Sequence, residues 1–254
     1  TTATVTGTID GGTGSDTANF YVAKSAADSF TYNETTKTAV VTVDSTVTTF
    51  KDFEYFKFSD DTSAMTTAEA VNALTSHTVI TSVVTRDGSN IADADVVMSD
   101  GTNSSSYKSA ADGSVSGVLT SGSVSTVTGS LAYSNSTKAV SSQDALDALK
   151  LSVGMTTAAG TKTAFDFISA DFNQDGKVSS QDALAILKYS VGLTTPEQAE
   201  WVFVDTSGDY SGVSKSNTSY TEGVIIADLS ADTTVSLTGI LIGDVNDSYS
   251  GLIA

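Results

Sequence analysis

The seven-residue segment Val-Ser-Ser-Gln-Asp-Ala-Leu occurs twice in this chain, at residues 140–146 and again at residues 178–184. The match resumes at a Leu-Lys pair and ends in Ser-Val-Gly, so both copies close on a glycine, Gly154 or Gly192. The offset is 178 − 140 = 38 residues, and identity at a fixed offset indicates an internal duplication. Because each copy begins with Ser and Asp and ends with Gly, the sequence predicts two equivalent helices.

An acidic loop with the spacing of a calcium site precedes the second helix. Calcium takes six to eight oxygen ligands at about 2.3–2.6 Å, and a 12-residue loop supplies them from positions one, three, five, seven, nine and twelve. Gly176 stands at position six, where the loop needs a sharp turn. We therefore predict calcium as the cofactor, the alternative being an Asx-rich turn without an ion. The predicted ligands are Asp171, Asn173, Asp175, the Lys177 carbonyl, Ser179 and Asp182.

The same loop also begins the second helix. Ser179 is the predicted N-cap and Asp182 the third helical residue, so calcium binding and helix formation are expected to be coupled. The matching loop of the first copy has Tyr133 at position one and Lys138 at the glycine position. We expect no calcium in that loop, and we interpret the first helix as a packing partner of the second.

On these residues, the segment 133–195 resembles a dockerin, a module of two F-hand-like loop–helix units. The resemblance implies dependence on calcium and binding of a cohesin-like partner through the two helices. Partner contacts in that family lie at loop positions ten and eleven. The residues that match those positions are Ser142, Gln143, Ser180 and Gln181. The first loop departs from the family pattern, and the alternative is that both helices pack on neighbouring β modules.

Further acidic turns are candidates for a second metal. Gly11-Gly-Thr-Gly-Ser-Asp16 matches the Gly-Gly-x-Gly-x-Asp calcium repeat of RTX proteins, with a plain Gly-rich hairpin as the alternative. With the strands that follow, residues 1–62 resemble parts of type-I-secreted bacterial proteins. The other candidate ligands are Asp205 and Asp209, and Asp244 and Asn246, whose spacing matches the opening of another F-hand loop.

Most of the remaining chain is predicted to be β. Residues 2–10 alternate apolar side chains with Thr, and residues 47–58 carry aromatic side chains expected in a core or a cross-strand ladder. Thr66 and Glu69 form a capping box that predicts a short helix. The run 235–242 is apolar enough to be buried on both faces, and we also considered it as an edge that could pair between subunits.

Three Asp-Gly pairs, the last at residues 112–113, predict turns at about 12-residue spacing. These turns predict a small antiparallel sandwich. With Arg86-Asp-Gly-Ser followed by Ala94-Asp-Val-Val, residues 78–132 resemble Ig-like or carboxypeptidase-regulatory-like sandwiches. The predicted fold class is mainly β and multi-module, with Ig-like β sandwiches plus a small helical dockerin-like EF-hand-type module. The predicted modules are an RTX-like β segment with a short C-terminal helix (1–76), an Ig-like β sandwich (77–132), the dockerin-like calcium module (133–195) and a C-terminal β segment (196–254).

Composition restricts the function. The net charge of −18 disfavours nucleic acid and anionic membranes as partners, and the sequence contains no apolar run long enough to predict a membrane span. With no Cys and a single His, His77, the chain lacks the usual nucleophiles and bases, so we expect no enzyme; counting alone leaves a two-carboxylate glycosidase open. The N-terminus lacks an initiating Met and a signal layout, so we expect a mature piece of a longer secreted chain.

These observations predict a secreted, calcium-binding structural or adhesive protein of the bacterial cell surface. The first hypothesis is self-association into a layer or filament. The alternative is a dockerin-type module that binds a cohesin-like partner and anchors a larger secreted protein.

Overall fold

The computed structural model describes residues 7–23, 27–101, 103–120, 124–133, 138–157, 160, 162–227, 229 and 231–249. The chain is mainly β, which confirms the predicted class. Its contacts divide it into two compact units. The first contains the described residues of Thr1–His77, Val118–Gly122 and Leu229–Ala231, and the second those of Thr78–Gly117, Ser123–Asp228 and Asp232–Ala254.

The first unit contains two small sheets and one helix. Its elements are β1 (Gly7–Asp10), β2 (Thr17–Asn19), β3 (Ala27–Asn33), β4 (Thr38–Val43), β5 (Thr46–Lys51), β6 (Tyr55–Lys57), β7 (Met65–Thr66) and α1 (Thr67–Thr75). The sheets have the strand orders β1-β5-β4-β3 and β2-β6-β7. The predicted strand at residues 2–10 is described only from Gly7 onward, because residues 1–6 lie outside the described residues.

Aromatic side chains form the core of this unit. Phe30 and Phe56 are fully buried and meet edge-to-face with ring centroids 5.0 Å apart, and Phe50 is also buried. The capping box at the start of α1 is present, since Thr66 and Glu69 exchange side-chain-to-backbone hydrogen bonds. The prediction that these rings form a core is confirmed.

The second unit is built on two four-stranded sheets. Its strands are β8 (Ser76–Val84), β9 (Asp95–Ser99), β10 (Ser104–Lys108), β11 (Ser114–Thr120), β12 (Ser125–Ser130), β13 (Trp201–Asp205), β14 (Val224–Ile226) and β15 (Thr233–Leu241). The first two residues of β8 and the last three of β11 are counted with the first unit. One sheet has the order β10-β9-β12-β14 and the other β11-β8-β15-β13. Strands that follow the helical segment therefore pair with strands that precede it. The Asp-Gly pairs lie at turns as predicted, and Gly88, Gly101 and Gly113 all have positive φ.

The expectation that the run 235–242 offers a free edge is wrong. It forms most of β15, which lies inside its sheet, parallel to β8 and antiparallel to β13. The predicted burial is confirmed for residues 237–242. A local apolar pattern shows that a strand is buried, but it does not show which neighbours occupy its two edges.

The two sheets of the second unit pack through Phe203 of β13, which is fully buried against Gly129 of β12. A Cβ added at Gly129 would lie 2.7 Å from Phe203 Cγ, too close for a real contact. We expect Gly129→Ala to lower the free energy of unfolding by about 1–3 kcal/mol, the usual effect of overpacking. Gly212→Ala, where an added Cβ meets nothing within 4 Å, is the matched control. Equal urea midpoints for the two variants would contradict this packing.

Between β12 and β13 the described residues form three helices, α2 (Ser142–Ser152), α3 (Ala164–Ala170) and α4 (Ser180–Ser190). The equivalent pair α2 and α4 is confirmed, with Gly154 and Gly192 at positive φ just beyond their ends. The two helices pack against each other. The sequence did not predict α3, a seven-residue helix capped by Thr163 that leads into the acidic loop.

Candidate metal centre

The acidic loop joins α3 to α4 and is organised by Asp171 at its start. This side chain is 4% exposed. Its Oδ1 accepts a hydrogen bond from the backbone N–H of Asp175 (3.1 Å), and its Oδ2 accepts one from the N–H of Gly176 (2.9 Å). Gly176 adopts φ +91°, a left-handed conformation that glycine reaches without strain. The loop thus wraps around the carboxylate of its first residue.

Asp182, the last residue of the loop, turns back toward the same centre. It is fully buried at the third position of α4. Its Oδ1 accepts a hydrogen bond from the N–H of Asn173 (3.1 Å), and its Oδ2 accepts from the N–H (2.8 Å) and Oγ (2.9 Å) of Ser179. Ser179 is the N-cap of α4, as predicted. One carboxylate therefore closes the loop and begins the helix.

The electrostatics of the loop favour a cation. Burial raises the pKa of Asp171, and the negative charge of Asp182 raises it further. Lys177 lies at the surface, where its Nζ is 3.5 Å from the carboxylate of Asp175. Two buried carboxylates close together are costly unless a positive charge compensates them. Hydrogen bonds from Thr218 and from the N–H of Gly176 lower the pKa of Asp171 in part, and the pKa stays raised.

The donor set fits a hard ion. Within the described ranges, no group of three or more His, Cys, Asp or Glu side chains is arranged to hold a metal by itself. The loop instead combines carboxylates with the amide of Asn173, the hydroxyl of Ser179 and the carbonyl of Lys177. Oxygen donors of mixed type are what calcium prefers. These residues would hold calcium, which would supply the missing positive charge.

A segment that the sequence reading missed supports the loop from outside. Thr218, which is 2% exposed, donates a hydrogen bond from its Oγ1 to Asp171 Oδ2. Its N–H donates to the carbonyl of Gly176 (3.1 Å), and the N–H of Val178 donates to the carbonyl of Lys215 (2.8 Å). Thr218 lies 47 residues from Asp171, so no local pattern could identify it.

The first copy of the helix has the same cap. Oδ2 of Asp144 accepts hydrogen bonds from the N–H (2.9 Å) and Oγ (2.7 Å) of Ser141. Its Oδ1 accepts a hydrogen bond from the N–H of Asn246 (3.1 Å), which belongs to the C-terminal segment. Asp144 is fully buried, and burial raises its pKa. Residues 134–137, part of this copy's own loop, lie outside the described residues.

Asp244, predicted as a candidate ligand, lies beside Asp144. Its exposed fraction is 1%, and its two carboxylate oxygens accept hydrogen bonds from the N–H groups of Ser248 and Tyr249, each at 2.9 Å. Burial raises the pKa of Asp244 to about 6, and the charge of Asp144 adds a smaller upward contribution. The two predicted candidates Asp244 and Asn246 are therefore brought to the start of α2.

The remaining candidate ligands lie in separate turns. The N–H of Asp16 donates to Glu54 Oε2 (2.9 Å), while Asp16 Oδ2 is buried without a hydrogen-bond partner among the described residues. Asp205 Oδ1 accepts from the N–H of Ser207 (2.8 Å), and Asp209 Oδ1 from the N–H of Ser211 (2.9 Å). Calcium binding at these three residues stays a prediction.

The four predicted partner-binding residues occupy equivalent exposed positions. They are the first two residues of each helix of the pair: Ser142, Gln143, Ser180 and Gln181. Gln181 also lines a groove of about 320 Å³ beside α4, together with Leu184, Lys188 and residues 194–197. Gln143 donates from Nε2 to Asp147 Oδ2 (2.9 Å), so its side chain is held along α2.

Exposed apolar side chains continue along the same faces of the two helices. From Ser142, the residues 4, 7 and 11 positions further on share one side of α2, and the same holds from Ser180 on α4. The exposed fraction of the side chains concerned lies between 42% and 63%. Met155 and Leu193 are exposed just past the ends of the two helices. Together with these two, the exposed side chains form what we call the paired stripe: Leu146, Leu149, Val153 and Met155 from the first copy and Leu184, Leu187, Val191 and Leu193 from the second.

Comparisons of this chain with protein-family models, with curated proteins and with solved structures found no match. No helix within the described ranges is long and apolar enough to cross a membrane.

Proposed function

We propose that the helix pair is a calcium-dependent binding module, which attaches this protein to a partner protein through the paired stripe. The observation that carries the proposal is the repetition of the stripe. Each of its four members in the first copy has an exposed apolar counterpart 38 residues later. Scattered exposed apolar side chains are normal, whereas a contiguous apolar face marks an interaction site.

Packing of the two helices against each other does not account for the paired stripe. The buried face of α2 is formed by Ala145, Ala148 and Leu151, so the stripe lies on a different side of the helix. Identical inner faces would follow from packing in a duplicated pair. Apolar residues retained on both outer faces need a further reason, and a partner that covers them supplies it.

Calcium would control this face through the loop. Asp182 is both a proposed ligand and the residue that caps α4 together with Ser179. Ser180 and Gln181 follow the cap directly, at the edge of the groove beside α4. An ion that fixes Asp182 therefore also fixes the first turn of the helix that would meet the partner.

The proposed setting is extracellular, on a bacterial cell surface. Extracellular calcium modules bind the ion at about 10⁻⁴–10⁻³ M, a range in which a single loop of mixed oxygen donors suffices. The partner proposed from the resemblance is a cohesin-like domain. Self-association is less well supported than the sequence reading suggested, because the strand invoked as a free edge is paired on both sides.

The test uses the full chain with calcium and a set of purified cohesin domains as the probe. We expect Leu146→Lys combined with Leu184→Lys to weaken binding at least about 100-fold, since a buried Leu contributes about 1.5–3 kcal/mol and 1.4 kcal/mol is tenfold. Both side chains are exposed, so the urea midpoint should not change. Ile225→Lys, at an equally exposed site on β14, is the control and should leave binding unchanged.

Two results would contradict the proposal. One is calcium-dependent self-association in analytical ultracentrifugation that the double Lys variant abolishes, because the stripe would then join copies of this chain. The other is binding of a cohesin domain that the double variant leaves intact, because the helices would then not be the recognition surface.

A further inference from the structure

The C-terminal segment Asp244–Tyr249 has the conformation of the first half of the acidic loop. In the acidic loop, the first carboxylate accepts hydrogen bonds from the N–H groups of the fifth and sixth residues. Asp244 accepts the same two bonds from its own fifth and sixth residues, Ser248 and Tyr249. The fourth residue has a left-handed φ in both segments, +54° at Gln174 and +56° at Asp247.

The second half of a loop is supplied by the first helical copy. Residues 139–144 align with residues 177–182 at the 38-residue offset, so Asp144 corresponds to Asp182. Asp182 accepts a hydrogen bond from the N–H of the third loop residue at 3.1 Å, and Asp144 accepts one from the N–H of Asn246 at 3.1 Å. Asn246 is the third residue counted from Asp244. A further hydrogen bond joins the C-terminal segment to the first copy, because Ser248 Oγ donates to the Ala139 carbonyl at 3.1 Å.

Independent evidence for a ligand comes from Asn246. Its Oδ1 is completely buried and has no hydrogen-bond partner among the described residues. An unpaired buried carbonyl oxygen costs about 1–3 kcal/mol, so it calls for a partner such as an ion. The corresponding residue of the acidic loop, Asn173, is a predicted calcium ligand. Two fully buried carboxylates, Asp144 and Asp244, lie at the same place.

A buried cationic side chain, Arg86, contacts the same segment through other groups. Arg86 pairs with Asp247 (3.0 Å) and Asp166 (3.3 Å), and it donates to the carbonyl of Asp244 (2.9 Å) rather than to the carboxylate. Through this hydrogen bond, Arg86 holds the backbone of the C-terminal segment in place. The carboxylates of Asp144 and Asp244 accept their hydrogen bonds from N–H and hydroxyl groups, and the charge of Arg86 offsets only part of the effect of burial on Asp244, whose pKa stays raised.

We infer that a second calcium ion binds in a loop assembled from two distant parts of the chain. Asp244, Asn246 and Ser248 take positions one, three and five, the Ala139 carbonyl takes position seven, and Asp144 takes position twelve. The C-terminal segment thus replaces the first half of the first copy's own loop, which begins with Tyr133 in place of a carboxylate. The inference extends the calcium-dependent function proposed above, and the two are tested separately.

The decisive experiment counts calcium ions on the full chain by isothermal titration calorimetry and native mass spectrometry. The wild type should bind two ions, and Asp144→Asn and Asp244→Asn should each bind one. The variant with both changes should also bind one, because the two side chains hold the same ion. Asp171→Asn should bind one, and Asp171→Asn with Asp244→Asn none. Asp112→Asn, in an exposed turn capped by Ser114, is the control and should bind two.

A second readout separates the two sites. Trp201, the only tryptophan, lies 5.1 Å from Tyr249 between ring centroids. Terbium in place of calcium should give tryptophan-sensitised emission, and Asp244→Asn should remove the part of it that comes from the second site. Because Glu200, the neighbour of Trp201, contacts Gln174 of the acidic loop, that part is measured as the emission that remains in Asp171→Asn and is lost in Asp171→Asn with Asp244→Asn. Asn246→Asp, which keeps a residue type found at position three of calcium loops, should tighten the second site. It keeps the test valid if the Asn variants fold poorly.

Each other outcome has a defined meaning. One ion that Asp171→Asn removes and Asp244→Asn leaves would overturn the second site and preserve the proposed function. Loss of an ion in Asp144→Asn but not in Asp244→Asn would place that ion in the first copy's own loop and overturn the assembly from two segments. A wild type that binds no calcium would overturn both proposals.

Discussion

Removal of calcium should strongly destabilise the second unit. At a calcium concentration one hundred times the dissociation constant, each site adds about 2.7 kcal/mol to the free energy of unfolding, hence about 5 kcal/mol for two independent sites. The physical reason is that buried Asp171, Asp182, Asp144 and Asp244 lose the cation that compensates them. The measurement is urea unfolding with calcium and with a chelator, followed by the fluorescence of Trp201, which belongs to this unit.

The control for this experiment is a chain that carries Asp171→Asn and Asp144→Asn together. It lacks one carboxylate from each proposed site and should unfold at the same urea concentration in calcium and in chelator. A wild type whose midpoint does not move on chelation would rule out a stabilising role for calcium.

Replacement of Arg86 should produce a large loss of stability for a polar side chain. Arg86 is 6% exposed and bridges Asp166 of α3 to Asp247 of the C-terminal segment. Breaking a buried ion pair by removing one partner costs about 3–5 kcal/mol. Since the side chain of Asp247 is 36% exposed, we expect about 3 kcal/mol for Arg86→Met, measured by urea unfolding in calcium.

The matched control is Lys108→Met. Lys108 pairs with Asp95 at 2.8 Å, a shorter distance than either Arg86 pair, but both side chains are about half exposed. Exposed pairs contribute about 0–1 kcal/mol, so this variant should lose less than 1 kcal/mol. If both variants lost the same amount, burial would not be what gives the Arg86 bridge its strength.

Features encoded within a few residues of sequence were predictable. Ser179 with Asp182, and Thr66 with Glu69, each specify a helix start through hydrogen bonds three residues apart, and both are present as predicted. The acidic loop is also a local feature, because Asp171 and Asp182 accept hydrogen bonds from other residues of the same 12-residue segment. A reading of the sequence can recognise such features because the interacting groups are neighbours in the chain.

Features that depend on distant segments were missed or misread. The C-terminal segment was read as an incomplete loop because its position twelve, Asp144, precedes it by 100 residues in the sequence (244 − 144 = 100). Thr218 was missed for the same reason. The run 235–242 was misread as a free edge because its neighbours, β8 and β13, come from both sides of the helical segment. Helix α3 was not predicted because it has only seven residues, which form too few helical turns for a repeating apolar pattern to be recognised.

The hydrogen bond that closes the acidic loop joins residues 9 positions apart, Asn173 to Asp182, whereas the equivalent bond from Asn246 to Asp144 joins residues 102 positions apart. The two bonds have the same length and donor type, so they differ mainly in the conformational entropy that the unfolded chain must give up to form them. Contacts of long sequence separation form late in folding. In a chain that emerges N-terminus first, α4 can thus reach its capped form while synthesis continues, and α2 receives its final hydrogen bond only after the C-terminal segment has arrived.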